Sequence, residues 1–324
     1  DVKDFFRIFL QKNKKHAIVK SRVRSVDIMF EDDSLMYVTE ENLAEYQKKY
    51  ARKLLPTADV TFKLLMGDKN HTNLLIHLLN SIPISPDPIV SVTIENVERP
   101  DANTFLKFYR LDILAITDKN EIIIVEMATS EEDGWAVPKF VQYLARVFAT
   151  QLKKGQSYKK LKKTIGILIA DCRLGVFKND EFYWRRVRLN DERTGANFTP
   201  LLEAYIVELP KMKQLDKNHP LTYWIEFLRN PYSAATQEIC RKVPEIEEAM
   251  KMYEKIKSDP STIDHLIRME MAEQEHDESI REAKEEGAHN KAIESAKMFL
   301  EMGFPLEKIA KGTGLSLNEV QALR

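Results

Sequence analysis

The sequence predicts an α/β fold: a helix, three strands, a second helix and a further strand in succession, followed by a helical C-terminal region. Three observations carry this. The runs IVSVTIENVER, FLKFYRLDILAI and EIIIVEMA alternate or concentrate apolar side chains over strand lengths. From residue 136 to about 154, Val137, Phe140, Val141, Leu144 and Val147 recur at helical spacing. TIGILIA is apolar throughout, as expected of a strand at a sheet centre covered on both faces.

The elements follow in order. Residues 1–53 mix a basic run, KNKKHAIVKSRVR, with the acidic FEDDS, and form an extension to which no chemistry is assigned. TEENLAEYQKKYARKLL reads as a helix capped at Thr39, with Leu43, Tyr46, Tyr50 and Leu54 at helical spacing. PTADVTFKLLMGDKNHTNLLIHLLNSI reads as a helix or a broken helix pair, entered near Pro56–Asp59 and interrupted at Gly67; SPDP then breaks the chain. The three strands come next, then the helix that Gly155 ends, then TIGILIA. EFYWRRVRLN and LLEAYIVELP read as two further strands, and residues 221–257 as helices. A long charged helix begins near Ser261, and the tail folds as two short helices around TGLS, in the outline of a helix-turn-helix whose second helix is poor in basic residues. The expected organisation is therefore 1–53 extension, 54–210 core, 211–260 helical connection, and 261–324 long helix and tail.

Composition limits the function. The formal net charge is −1, so a nucleic-acid partner requires a local basic face. KKGQSYKKLKK is one candidate, with Lys153, Lys154, Lys159 and Lys160 placed to track phosphates; a solvated helix end is the competing account. YWRRVR is another, matched by a charge-protected edge strand. Cys172 and Cys240 form no CxxC, which excludes a disulfide scaffold and a cysteine zinc site and points to a reducing, cytoplasmic location. No apolar run reaches the roughly 18 residues of a membrane span. The seven histidines show no metal spacing, and His71 and His77 read as a polar helix face. GxGxxG, P-loop and GxSxG motifs are absent, so nucleotide cofactors and serine-hydrolase chemistry have no support.

The chemistry concentrates in LDILAITDKNEIIIVEMATS. Strand alternation puts Asp112, Leu114 and Ile116 on one face, and Ile122, Ile124, Glu126 and Ala128 on one face of the next strand. A three-residue loop, Asp118–Lys119–Asn120, with Asn120 left-handed, pairs 117 with 121 and hence 112 with 126. Two carboxylates so close repel one another, and either one takes up a proton or a cation sits between them. Mg²⁺ fits, since it accepts one or two carboxylates and keeps waters for chemistry on a phosphodiester. An ion pair with Arg110 or Lys107 on a half-exposed sheet is the other account.

In order along the chain, TADVTFKLLMGD (with Asp59, Phe62 and Lys63), RLDILAITDKNEIIIVEM, FVQYLARVFATQLKKGQSYKKL (with Gly155 and Tyr158) and the segment AKEEGAHNKAIESAKMFLEMGFPLEKIAKGTGLSLNEVQAL together resemble the PD-(D/E)XK nuclease family transposases, or recombination-promoting nucleases. The resemblance covers roughly residue 54 to the end, loosely from about 190 to 260. It implies a restriction-endonuclease-like αβββαβ core with a mixed central sheet, and a Mg²⁺-dependent DNA endonuclease (Mn²⁺ being a possible substitute) associated with recombination. It implies Asp112, Glu126 and the Met127 carbonyl as metal ligands, and an auxiliary role for Asp59. Two departures stand out. The superfamily's Glu-x-Lys, usually Glu-x-Gln in this family, reads Glu126-Met127-Ala128, and an Arg expected four residues before Tyr143 is Lys139. Losing one donor to a developing charge costs on the order of 100- to 1,000-fold in rate. Three readings of Ala128 are open at this point: the role has moved to Lys139, Gln142 or Lys107; the fold now only binds DNA or a protein; or the residue was introduced to trap an inactive form. Lys139 is the preferred replacement. The long helix from 261 is also a candidate homodimer element.

Overall fold

The computed structural model describes residues 38–39, 41–95, 112–130, 134–216 and 219–324. Lys107, Arg110, the start of the second long strand and most of the 1–53 extension lie outside them. The chain divides into two compact units, with the boundary after Pro260.

The first unit is built on a six-stranded mixed sheet. Its strands are β1 (Val92–Ile94), β2 (Ile113–Thr117), β3 (Ile122–Ala128), β4 (Thr164–Ala170), β5 (Trp184–Arg188) and β6 (Leu202–Glu208), in the spatial order β1-β2-β3-β4-β6-β5. β3, β4 and β6 run parallel; β1–β2, β2–β3 and β5–β6 are antiparallel. The αβββαβ order and the mixed sheet expected from the sequence are both present. β4 is buried along its whole length because sheet and helices cover it on every side.

The β2–β3 hairpin turns at Asn120, whose φ of 60° is a left-handed conformation that asparagine tolerates better than most residues. The Asn120 N–H donates to the Thr117 carbonyl at 2.8 Å, and the Thr117 N–H donates to the Glu121 carbonyl at 3.0 Å. The ladder pairs Ile113 with Val125 and Ile116 with Ile122. One step further, the same register sets position 112 opposite 126, as the turn chemistry predicts.

Helices cover both faces. Preceding β1 are α1 (Leu43–Lys49), α2 (Asp59–Met66) and α3 (Thr72–Ser81); α4 (Ala136–Ala149) links β3 to β4; α5 (Leu221–Arg229), α6 (Ala234–Cys240) and α7 (Pro244–Ser258) follow β6. Phe62 and Leu65 of α2, Leu74 and Leu78 of α3, Trp224 of α5 and Tyr253 of α7 pack against one face with Ile113, Ile123, Val125 and Ile167. Phe140, Leu144 and Val147 of α4 pack against the other with Ile124, Leu168 and Ile206. Gly166 makes the second packing possible: a Cβ there would meet the Phe140 ring at 2.6 Å.

Three sequence expectations need correction. Thr39 is not the cap of α1. Asn42 stands there, and its side chain accepts the Thr39 N–H at 2.7 Å. α4 stops at Ala149 and does not reach Lys154, because Gln151 turns the chain back by bonding Lys162 through both ends of its amide, at 2.8 and 3.1 Å. His77, half-buried, faces Glu245 at 3.7 Å and also takes a hydrogen bond from the buried Trp224 indole at 3.0 Å. Val141 is 54% exposed and takes no part in the core.

The second unit holds most of the 42-residue α8 (Pro260–Glu301), with α9 (Leu306–Thr313) and α10 (Leu317–Ala322). Ala296, Ile309, Leu315 and Val320 form its small core. Gly314, at φ 78°, ends α9, and Ser316 with Glu319 makes a reciprocal capping box at α10.

Candidate active site

Asp112 immediately precedes β2, and Glu126 lies near the end of β3. Both are buried, on the face that α4 covers. The Asp112 N–H donates to Glu126 Oε1 at 3.1 Å, and the Met127 N–H donates to Asp112 Oδ2 at 2.6 Å. Each carboxylate thus spends one oxygen on the backbone of the other's strand and keeps one in hand.

Two lysines reach the remaining oxygens from helices on opposite faces of the sheet. From α2, Lys63 Nζ lies 3.1 Å from Asp112 Oδ1 and 2.8 Å from Asp59 Oδ1, one helical turn before it. From α4, Lys139 Nζ lies 4.0 Å from Glu126 Oε2, beyond hydrogen-bond length, and 5.3 Å over the Tyr143 ring. Three carboxylates therefore face two ammonium groups.

The electrostatics follow from burial. Desolvation, and then the neighbouring Asp112 charge, push Glu126 up to about 8. Desolvation and the hydrogen bond with Asp59 push Asp112 up to about 6, against the pull of Lys63. Asp59 moves down: burial opposes this, but its bonds to Asp112 and Lys63 outweigh it. Lys63 is raised, because Asp112 and Asp59 outweigh its own desolvation. Near neutral pH the pair holds on to a proton that a bound cation would replace.

The donor set fits a hard divalent ion. Among the described residues no three His, Cys, Asp or Glu side chains converge as a metal cluster. A cation here would rest on two carboxylates completed by main-chain or water oxygens, which is the habit of Mg²⁺. The buried, mutually repelling pair supplies the reason to bind one.

The other expected residues fall in different places. Ala128 shares the Glu126 face and packs into the apolar cluster under α4, so the third motif position presents a methyl group. Lys153, Lys154, Lys159 and Lys160 are exposed, but they lie in the turn and short 3-10 segment between α4 and β4. Lys139 sits in the first turn of α4, whereas these lysines follow its last turn in the chain. In β5, Arg185 pairs with Asp180 and Glu208, and Arg186 with Glu203, so both have acidic partners within the fold.

Sequence reasoning missed Lys63 as a site residue. The available signal was its spacing of four from Asp59. It also missed Asp171, just after β4, whose N–H donates to the Ala128 carbonyl at 2.7 Å and whose Oδ2 accepts the hydroxyl of buried Thr57 at 3.0 Å. That clamp ties the ends of β3 and β4 to the approach of α2. It joins residues far apart in sequence and had no local signal.

A mixed sheet with a carboxylate pair at the end of a central hairpin, flanked by lysines from both helical layers, is consistent with a restriction-endonuclease-like fold. The chain belongs to the PD-(D/E)XK nuclease family transposases, whose family model matches residues 56–293. Neither the curated proteins nor the solved structures include a match.

Proposed function

We propose that this chain is a divalent-metal-dependent nuclease hydrolysing DNA phosphodiester bonds, in a recombination or transposition setting, with Lys139 standing in for the donor that Ala128 lacks. The observation that carries the reading is the geometry of Asp112 and Glu126: buried, side by side, and approached at Glu126 by a lysine from the next helix. Asp112, Glu126 and the Met127 carbonyl would hold Mg²⁺, or Mn²⁺ in its place. When bound, the ion supplies positive charge to the phosphate and acidifies a water. Lys139 is half exposed, so its ammonium is free to turn from Glu126 toward a phosphate oxygen. Lysine offers a point charge in place of an arginine fork, and turnover is correspondingly low. Asp59 acts through Lys63, which it holds beside Asp112.

In this reading Lys153, Lys154, Lys159 and Lys160, exposed after α4, meet the DNA backbone. Among the described residues no helix is long and apolar enough to cross a membrane. Among the described residues Cys172 and Cys240 form no disulfide, which supports a reducing cytoplasmic location. Exposed Met298, Met302 and Phe304 near the end of α8 support a homodimer through the C-terminal region.

The test is nicking of a supercoiled plasmid. Slow nicking is expected with Mg²⁺ or Mn²⁺, none with EDTA, and none from Asp112→Ala or Glu126→Ala; cutting that survives Asp112→Ala would remove the site assignment. Ala128 favours one other reading, a nuclease fold that binds DNA or a protein without cutting. In that case the chain binds DNA but stays inactive under every metal.

A further inference from the structure

Lys63 makes the closest ion pair at the carboxylate pair. Asp112 Oδ2 is taken by the Met127 N–H, so Oδ1 is the oxygen Asp112 has for a cation, and the Lys63 ammonium already lies 3.1 Å from it. The Asp112 side chain is 3% exposed, Lys63 23% and Asp59 53%, so Lys63 bridges a buried carboxylate and one open to solvent. An ammonium and a divalent ion cannot both sit on one oxygen without strong like-charge repulsion in so dry a place.

We propose, resting on the metal-dependent reading above, that Lys63 is a tethered competitor for the divalent cation: it holds Asp112 Oδ1 until a cation arrives and then withdraws to Asp59 alone. Two features make this workable. Lys63 and Asp59 are one turn apart on the same helix, so the withdrawal needs only side-chain rotation. Before loading, Lys63 keeps Asp112 from being an uncompensated buried charge, which explains why a lysine is tolerated against a metal ligand. Lys139 differs in kind: it stands at 4.0 Å from Glu126, is 51% exposed, and yields to solvent at little cost. The site would then load only above a cation concentration that Lys63 sets.

The test is calorimetric titration with Mn²⁺, without DNA, of the unmodified chain, Lys63→Met, Lys63→Gln and Lys139→Met. Both Lys63 variants are expected to bind Mn²⁺ about tenfold or more tightly than the unmodified chain. Lys139→Met is expected to change affinity by less than about threefold. Lys63 variants that bind no more tightly than the unmodified chain, or gain no more than Lys139→Met, overturn the competition and leave the metal site standing. Absence of Mn²⁺ uptake by all four proteins overturns the metal reading, and this inference with it. Should the Lys63 variants fail to fold, acylation of amines in the unmodified chain, read by mass spectrometry, serves instead. Mn²⁺ is expected to make Lys63 severalfold more reactive by removing one of its two carboxylate partners; unchanged or reduced labelling overturns the proposal.

Discussion

Asn120 decides which residues of β2 and β3 face each other, and so it decides that Asp112 meets Glu126. This part of the site was legible in the sequence because every step is local: a period of two in each strand and a turn whose left-handed residue is an asparagine. Lys63 was legible as part of the TADVTFKLLMGD segment, but its approach to Asp112 was not, since that depends on how α2 packs against the sheet. The raised pKa values of Asp112 and Glu126 give a prediction at this scale. A carboxylate raised on folding contributes stability below its unfolded value, and loses it as pH rises through its folded value. For Glu126 that window runs from its ordinary 4.5 to about 8, and for Asp112 from 3.8 to about 6. Relative to Glu126→Gln, the cation-free protein is expected to lose stability in urea unfolding between about pH 5 and 8. Saturating Mg²⁺, which displaces the proton, is expected to reverse the trend, so that its stabilisation grows with pH. A pH-independent difference from Glu126→Gln would contradict the assignment.

At the scale of elements, α4 and β4 hold the second lysine in position. Phe140 rests where Gly166 leaves room, one helical residue from Lys139. Gly166→Ala forces a Cβ to within 2.6 Å of that ring. It is expected to cost about 1–3 kcal/mol in denaturant unfolding. It is also expected to slow nicking by displacing α4; a neutral result would mean that the ring yields freely. The end of α4 was not legible, because lysines extend a helix well and nothing local announces the long-range amide clamp of Gln151 on Lys162. The thick middle of the sheet was easy to read, since an unbroken apolar run such as β4 belongs at a centre. The arginines of β5 were ambiguous for the opposite reason: a charged edge strand looks the same whether its charges serve DNA or their own acidic neighbours.

Over the whole molecule, a net charge of −1 means that the proposed DNA contact needs a local basic cluster, and the exposed lysines that follow α4 are the candidate. Replacing Lys153, Lys154, Lys159 and Lys160 with alanine is expected to weaken duplex binding and to reduce the slope of log affinity against log salt by up to about 3.6, at ~0.9 per phosphate contact. Fluorescence anisotropy at several salt concentrations checks this; an unchanged slope would place the DNA elsewhere. The family match over residues 56–293 and the order of the sheet make the nuclease fold secure, and in the proposed function the rate turns on the third motif position, where a methyl group stands in place of a donor. The most direct test restores that donor. Ala128→Gln is expected to raise Mg²⁺-dependent plasmid nicking by about 100- to 1,000-fold, and adding Asp112→Ala to it is expected to abolish nicking. An inert Ala128→Gln, or nicking that persists in the double variant, would contradict the account.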